Sequence, residues 1–346
     1  MIEVEKKDFR QLSPEEIAGW LEGIGEKPFR GRQIQEWLWQ KGVRSFDEMN
    51  NLSKDLRETL KAHFSFPALK VETRQQSSDG TVKLRFETFD GHFIEGVLIP
   101  ADERLTACVS SQVGCSLTCS FCATGRMGRA RNLTFEEIFD QVILLNEECM
   151  KATGNKLTNI VFMGMGEPLL NYSEVIRANE IISSPEGFAM SPRRITVSTA
   201  GIAKMIRKLG DDEVRFRLAL SLHAADDKKR NEIMPINEQN NLESLMESLD
   251  YFFGKTKSRI SYEYILFNRF NDRVEDARQL VKLCKIFPVK VNLIEYNPVE
   301  GVSFRRSDAD RAKTFQQFLL NHGITATIRR SRGQDIDAAC GQLANK

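Results

Sequence analysis

From about residue 105 onward, strand-like runs alternate with amphipathic helical segments, and this alternation restricts the possible fold more than any other feature of the sequence. Strand patterns fall at 107–110, 159–165, 194–199, 215–222, 259–266 and 290–296, with a further one at 325–330. Helical periodicity occupies 134–150, 173–183, 242–253, 272–286 and 307–322. Such alternation predicts a parallel sheet with crossover helices, and six repeats fit a partial or closed α/β barrel better than a flat, doubly wound sheet. Polar or unusual residues follow the strands directly: Cys115 to Cys122, Gly166-Glu167, Ser198, Ser221 to His223, and Asn297. In parallel α/β proteins the functional face lies at the carboxyl ends of the strands, so these segments are expected to converge.

The first hundred residues follow different rules. Residues 12–66 read as a small helical unit, in which Ser13-Pro14-Glu15-Glu16 is a helix start with Ser13 as N-cap. A second helix is expected from about Gly31 to Gly42, with Ile34 and Trp37 on a buried face, and Ser53 opens a third. Beyond Pro67 the period changes to alternation, and Asp79-Gly80 and Asp90-Gly91 are hairpin turns joining segments near 68–76, 81–88 and 93–99 into an antiparallel meander. No run approaches the length of a membrane helix, and the polar start MIEVEKKDFRQLSPEE is not a signal peptide, so the cytoplasm is the expected compartment. The net charge of +1 does not announce a nucleic-acid partner. Local basic clusters do suggest phosphate contact, at Lys27, Arg30 and Arg32, at Arg126, Arg129 and Arg131, at Arg193 and Arg194, and at Arg329, Arg330 and Arg332.

Of seven cysteines, Cys108, Cys115, Cys119 and Cys122 fall within fifteen residues. That crowding indicates metal or redox chemistry rather than a disulfide framework. Cys115-x-x-x-Cys119-x-x-Cys122 supplies three thiolates, one fewer than an iron–sulfur cubane normally takes. The fourth iron is left open to a substrate such as S-adenosylmethionine (SAM). Structural zinc is the rival reading. It wants four N or S ligands, and Cys108 is poorly spaced to be the fourth. Cys149 and Cys284 lie in amphipathic segments and read as core packing.

The residues around this loop resemble a known family. Cys115-Ser-Leu-Thr-Cys119-Ser-Phe121-Cys122 resembles the radical SAM signature, including the aromatic residue before the third cysteine. Cys108-Val-Ser-Ser-Gln-Val-Gly-Cys115, Gly164-Met-Gly166-Glu167-Pro168, Ser221-Leu-His223-Ala and Asp335-Ile-Asp-Ala-Ala-Cys340-Gly-Gln-Leu are similar to the RlmN/Cfr family of RNA methyltransferases, and the likeness extends over essentially the whole chain. The family implies a partial (β/α)6 radical SAM barrel over 105–330, preceded by a helical accessory domain (1–66) for RNA binding and a β-hairpin extension (67–104). A tail (331–346) carries a methyl-carrier cysteine.

By the same resemblance, Cys115, Cys119 and Cys122 hold a [4Fe-4S] cluster. Gly166, Glu167, Ser198, Ser221, Leu222, His223 and Asn297 contact SAM, of which two are used per turnover. Cys340 carries the methyl group, Cys108 attacks Cys340 to leave a disulfide, and Glu95 accepts a proton. This division of labour suits adenine C2, an electron-poor carbon that an electrophilic methyl group cannot attack directly. Taken singly, these residues have ordinary alternatives: Glu167 as a helix N-terminal carboxylate, Ser198 and Ser221 as strand-end hydroxyls, His223 as a satisfied structural histidine, Glu95 as an exposed strand carboxylate, and Cys340 as an incidental tail thiol. The implied partners are 23S rRNA in its peptidyl-transferase region, the adenosine 3′ of the anticodon in some tRNAs, and an electron donor such as flavodoxin or ferredoxin. The implied enzyme is a monomer away from membranes. Pro168 and Arg332-Gly333 look like the RlmN branch rather than a Cfr-like adenine C8 methyltransferase. Two further readings compete, a noncatalytic iron–sulfur or zinc RNA-binding protein and a radical SAM activase of a glycyl-radical protein.

Overall fold

A computed structural model describes residues 6–345. The first five residues of the predicted N-terminal unit and the last residue of the predicted tail lie outside the described residues. Helix α1 (Pro14–Gly23) begins with the predicted cap: Ser13 Oγ accepts from the Glu16 N–H, and the Glu16 carboxylate accepts from the Ser13 N–H. Helix α2 (Phe29–Gln35) does not continue to Gly42 as a regular α-helix, as the sequence led us to expect. It passes into a π-helical turn, Glu36–Gln40, in which the Lys41 N–H reaches back to the Glu36 carbonyl. This turn leaves Trp37 only partly buried, its indole N–H donating to Asn51 Oδ1 and the Lys41 ammonium 3.6 Å from its ring centre. Helix α3 (Lys54–His63) is capped by Ser53. The three helices enclose their own core of Phe9, Ile17, Leu21, Ile34, Leu38, Phe46, Leu56 and Leu60.

A single ten-stranded sheet follows. Strands β1 (Lys70–Gln76), β2 (Val82–Glu87), β3 (Phe93–Ala101) and β4 (Arg104–Cys108) run antiparallel. A short separate hairpin, β5 (Gln112–Gly114) with β6 (Arg129–Asn132), comes next. Then crossovers begin: α4 (Phe135–Thr153), β7 (Asn159–Phe162), α5 (Tyr172–Ser183), β8 (Ile195–Thr199), α6 (Ala203–Asp211), β9 (Arg217–Ser221), α7 (Asp227–Ile233) and α8 (Leu242–Thr256), β10 (Ile260–Leu266), α9 (Val274–Cys284), β11 (Val289–Glu295), α10 (Ala309–Asn321) and β12 (Ala326–Arg329). Strand β4 pairs parallel with β7, and the parallel order then continues in sequence to β12.

This is the expected radical SAM α/β architecture, six strand–helix units closed by a seventh strand. Helices α6 and α7 complete the crossovers beyond the five predicted from periodicity. The meander joins the barrel by hydrogen bonds, because β3 pairs with β4, which opens the parallel series. Alternation along each strand sends Ile160, Phe162, Ile195, Val197, Leu218 and Leu220 under the helices. The opposite face keeps the polar set, Ser198, Ser221, Glu263 and Asn292. Cys149 and Cys284 are buried in the helix layer, as predicted. Among the described residues no helix is long and apolar enough to cross a membrane.

Candidate active site

The cysteine loop links the two strands of the small hairpin, and its conformation depends on glycine. Gly114 has φ +74°, and a Cβ there would lie 1.8 Å from the Gly128 carbonyl oxygen, so the crossing of β5 with the far end of the loop requires that residue. Cys115 is buried and accepts from the Leu117 N–H at 3.4 Å, while Cys119 and Cys122 are partly exposed. Phe121, the aromatic residue of the signature, packs edge-on against the His223 ring at 4.9 Å between centres. Burial pushes the Cys115 thiol up to about 11, with the charge of Cys122 adding to it. Cys119 is raised further by burial and then by Cys122 and Cys115. The three sulfurs therefore lie near enough to disfavour each other as bare thiolates.

Gly166 and Glu167 leave the end of β7 beside this loop. Gly166 has φ +95°, and a Cβ would meet Gln112 Cβ at 2.5 Å, so the backbone here passes flush against β5. Gln112 Oε1 in turn accepts from the Glu167 N–H at 2.9 Å. The Glu167 carboxylate is buried, with Oε1 accepting from the Leu169 N–H at 3.0 Å and Oε2 from the Ala200 N–H at 2.7 Å. It thus caps the helical turn Pro168–Asn171, as the ordinary reading had it, and also ties that turn to the end of β8. Burial raises its pKa to about 7 against those amide bonds.

Ser198 Oγ donates to the Phe162 carbonyl at 2.7 Å, so it binds neighbouring strand ends together. His223 is buried at φ +54°, and its Nδ1 accepts from the Ile265 N–H at 3.1 Å. Burial, then the Arg230 charge, pushes its pKa down to about 3, which leaves a neutral ring. Leu222 is fully buried, and Ser221 is half-buried at the end of β9. Asn297 is buried; its Nδ2 donates to the Cys340 carbonyl at 3.3 Å, and its Oδ1 has no partner among the described residues.

The C-terminal segment is stitched across the same face. Before Cys340, the Gly333 N–H donates to Asp79 Oδ2 (2.9 Å) and Asp335 Oδ2 accepts from the Ser78 N–H (3.1 Å). After it, the Gly341 carbonyl accepts from the Ala123 N–H and the Leu343 carbonyl from Thr124 Oγ1, both directly beyond the cysteine loop. Glu95 Oε2 accepts from the Ala344 and Asn345 N–H groups at 2.9 and 3.1 Å, and its Oε1 lies 3.2 Å from Lys83 Nζ. Glu95 and Lys83 are both buried, so the exposed-carboxylate reading of Glu95 fails. Strand β3 lies inside the ten-stranded sheet and is covered on both faces.

Val97 pairs with Cys108, which places Glu95 and Cys108 on one face of the sheet. Cys108 is buried and pushed up to about 12 by burial, with the charge of Cys340 adding to it. The Cys340 side chain is reached by solvent but is surrounded by protein. Burial raises its pKa first, the Arg329 guanidinium opposes that, and Glu263 and Cys122 add to the rise. All seven cysteines are free thiols, so the expected Cys108–Cys340 disulfide is not a bond of this structure. A bond resolved by exchange within a reaction need not persist in the resting fold.

Residues 7–65 match the model of the ribosomal RNA large subunit methyltransferase N-terminal domain, and residues 109–282 match that of the radical SAM superfamily. A probable dual-specificity RNA methyltransferase RlmN from Cytophaga hutchinsonii is 54% identical over 99% of this chain and 94% of its own length. The dual-specificity RNA methyltransferase RlmN of Nitratidesulfovibrio vulgaris is 45% identical over 97% of this chain and 94% of its own. The chain belongs to the RlmN family. A crystal structure of a radical SAM methyltransferase from Sphaerobacter thermophilus superposes with a TM-score of 0.93 at 39% identity, covering 98% of this chain and 100% of that one.

Membership in the RlmN family makes this a SAM-dependent radical RNA methyltransferase with a [4Fe-4S] cluster, and the cysteine loop fits that group. Among the described residues no three His, Cys, Asp or Glu side chains converge on a point that could hold a single metal ion. A cubane takes one cysteine per iron, so its three thiols stand apart around it, and the cluster's positive charge reverses the electrostatic cost of three neighbouring thiolates.

The motifs that define the RlmN family missed one organiser of this face, Arg230. It is fully buried and donates to the carbonyls of Ala200, Ser221 and Leu222 and to Asn237 Oδ1. Its position within Asp-Lys-Lys-Arg on a short polar helix gave no sign of that burial.

Proposed function

We propose that this protein methylates C2 of an adenosine in the peptidyl-transferase region of 23S rRNA, and of the adenosine 3′ of the anticodon in some tRNAs. In this reading Cys340 is the methyl carrier and Cys108 the resolving thiol. One observation carries the proposal: a C-terminal cysteine is tied beside the cysteine loop from both sides, within electrostatic reach of Cys108 and Cys122. An incidental tail thiol has no need of such anchoring.

The Cys340 sulfur first loses its proton, a step that Arg329 favours. As a thiolate it displaces the methyl group of one SAM, so that a C–S bond forms on Cys340 as the donor's methyl–sulfur bond breaks. Cys115, Cys119 and Cys122 would hold the cluster, which with a second SAM bound would supply a 5′-deoxyadenosyl radical able to remove hydrogen from this methyl group. The methylene carbon on Cys340 then bonds to C2 of the base, joining protein and RNA, and the odd electron of the adduct would return to the cluster. Glu95 takes the C2 proton, which requires the tail to release the bonds from Ala344 and Asn345 that now occupy that carboxylate. Cys108 as a thiolate attacks Cys340 Sγ, breaking the S–CH2 bond; the released methylene carbon takes up a proton to become the methyl group of the base, and a Cys108–Cys340 disulfide remains for reduction. Gly166, Glu167, Ser198, Ser221, Leu222, His223 and Asn297 hold SAM in this reading, and the unpartnered Asn297 Oδ1 offers an acceptor to it.

The electron donor is a small acidic redox protein such as flavodoxin or ferredoxin. The protein acts as a monomer in the cytoplasm. The N-terminal helical unit, with Lys27, Arg30 and Arg32, grips RNA while the target base is extruded. Anaerobic reconstitution followed by mass spectrometry tests the reading. We expect a methyl group on Cys340, 2-methyladenosine in the RNA, and a trapped protein–RNA adduct in Cys108→Ala. Full turnover by Cys340→Ala, or 8-methyladenosine as the main product, overturns it.

A further inference from the structure

The barrel has a second mouth, at the end away from the cysteine loop. Five strands begin there with a cation: Arg104 on β4, Arg194 just before β8, Arg217 on β9, Arg259 just before β10, and Lys290 on β11. The parallel register sets them side by side. Thr196 pairs with Arg217, Ile260 pairs with Leu218 so that Arg259 stands beside Arg217, and Ser261 pairs with Lys290. Arg217, Arg259 and Lys290 line a cavity of about 70 Å³, together with Arg329 deeper in the barrel.

Like charges on adjacent strands repel, and interleaved acids are the usual remedy. Here one carboxylate lines the cavity against four cations; one of its oxygens is taken by neighbours and the other accepts no hydrogen bond among the described residues. Glu263 Oε1 accepts from Ser261 Oγ (2.9 Å) and Asn292 Nδ2 (2.6 Å), and Oε2 lies 3.9 Å from Arg329. The side chains of Arg217, Arg259 and Lys290 have no hydrogen-bond or ion-pair partner among the described residues. They are not capping the carbonyl ends of the crossover helices, the ordinary use of a cation at this end of a barrel. Burial, then the neighbouring cations, lowers the pKa of both Lys290 and Arg217, and for Lys290 the Glu263 charge opposes this only in part, so the arrangement carries a cost that the one carboxylate does not cancel.

We infer that this mouth is a phosphate-binding site that takes a compact di- or polyphosphate group through Arg217, Arg259 and Lys290. Two guanidinium forks and one ammonium match phosphate oxygens in number and geometry. A concave, low-dielectric rim concentrates their field. The cavity is far smaller than the roughly 300 Å³ at which small-molecule pockets begin, so it admits the charged end of a ligand and excludes a base or ring. Two sources present that chemistry, a free pyrophosphate-like anion and the 5′-triphosphate end of an RNA strand. The three cations sit at the starts of their strands, while the cavity reaches inward to Arg329 and Glu263, which also act on Cys340; pyrophosphate binding is read directly, so its failure is distinguishable from a failure of the methyl-transfer reading.

Inorganic pyrophosphate is the probe, titrated calorimetrically into the reconstituted full-length protein at low ionic strength, with a short single-stranded RNA bearing a 5′-triphosphate as a second arm. Saturable one-to-one pyrophosphate binding is expected, weakened at least tenfold in Arg217→Gln/Lys290→Met and unchanged in Lys282→Gln, which removes a charge elsewhere. Loss of RNA affinity in the double variant, with pyrophosphate competing for the same site, identifies the RNA strand as the source. Pyrophosphate binding lost without any change in RNA affinity identifies the free anion. Thermal melting guards against misfolding: without anion the double variant should melt at or above the wild type, because repulsion is relieved, and pyrophosphate should raise only the wild-type midpoint. No saturable pyrophosphate or RNA binding in the wild type, or equal binding in wild type and double variant, overturns the inference.

Discussion

Single atoms decide much of the catalytic face. Gly166 has a backbone angle of +95° and leaves no room for a Cβ against Gln112. Gly166→Ala should cost about 1–3 kcal/mol of backbone strain and push the Glu167 segment off β5. The expected result is a modest drop in melting temperature with at least a tenfold loss of SAM affinity, read by equilibrium binding; unchanged SAM affinity would detach Gly166 from cofactor binding. Glu167 makes a different demand. Both of its oxygens accept backbone N–H groups, and an amide can accept through only one, so Glu167→Gln must aim an NH2 at a donor. A loss of about 1–3 kcal/mol in denaturant unfolding is expected, whether or not SAM is present, because those two bonds exist without it. A variant as stable as the wild type would show that the two amides find other acceptors.

At the scale of elements, the tail is the part whose position matters most, and the tether ahead of Cys340 is the β1–β2 turn, through the Asp79 carboxylate and the Ser78 N–H. Burial tends to raise the Asp79 pKa, but hydrogen bonds from Thr81, Gly333 and Ser77 outweigh it and hold it at about 2. A carboxylate held below its ordinary value of 3.8 stabilises the structure above that pH, and the contribution fades as pH falls from there toward about 2. Amide exchange at Gly333 and Thr81 should therefore be slow and nearly pH-corrected at neutrality, accelerate below about pH 4, and be fast at all pH values in Asp79→Ala. If the proposed role of the tail holds, that variant should also transfer methyl groups slowly while still cleaving SAM. Exchange at Gly333 identical to wild type would remove Asp79 as the tether. The alternation that announced strands and crossover helices was legible because burial imposes its period locally. The tail was not, since Asp79 and Gly333 meet across most of the chain and neither carries a pattern that names the other. Glu95 misled for a related reason: alternation marks a strand but does not say whether the sheet continues beyond it, and here it continues on both sides. Arg230 stayed hidden because a charged residue on a short polar helix reads as surface, until three carbonyls from the ends of two strands converge on it.

The whole molecule depends on how the N-terminal helical unit sits on α4. Trp39 packs against Phe135 and Phe139, and buried Arg10 pairs with Asp140 at 2.7 Å. Beside that pair stands Glu136, fully buried, with neither carboxylate oxygen hydrogen-bonded among the described residues. Burial raises its pKa from 4.5 to about 7 against the pull of its own N–H and the Thr134 hydroxyl, neither placed well enough for a hydrogen bond; the Asp8 charge adds to the rise and Arg10 opposes it. Asp8 and Asp140 are also raised, each chiefly by burial, so one arginine faces several acids where the two units meet. A carboxyl whose pKa is raised on folding binds its proton more tightly in the native state, so stability is greatest below pH 4.5 and falls as pH climbs to about 7. That interval corresponds to about 3 kcal/mol. Glutamine has the shape of the protonated acid and cannot ionise. Glu136→Gln should thus be more stable than the wild type by up to about 3 kcal/mol at pH 8.5, and the advantage should vanish near pH 4. Breaking the neighbouring pair works in the opposite direction. Arg10→Ala leaves Asp140 buried without its counter-charge and should cost about 3–5 kcal/mol, with calorimetry resolving an early transition for the helical unit ahead of the barrel. Parallel stability–pH curves for Glu136→Gln and wild type, or a single unshifted transition in Arg10→Ala, would show that the two units are joined by their apolar contacts alone.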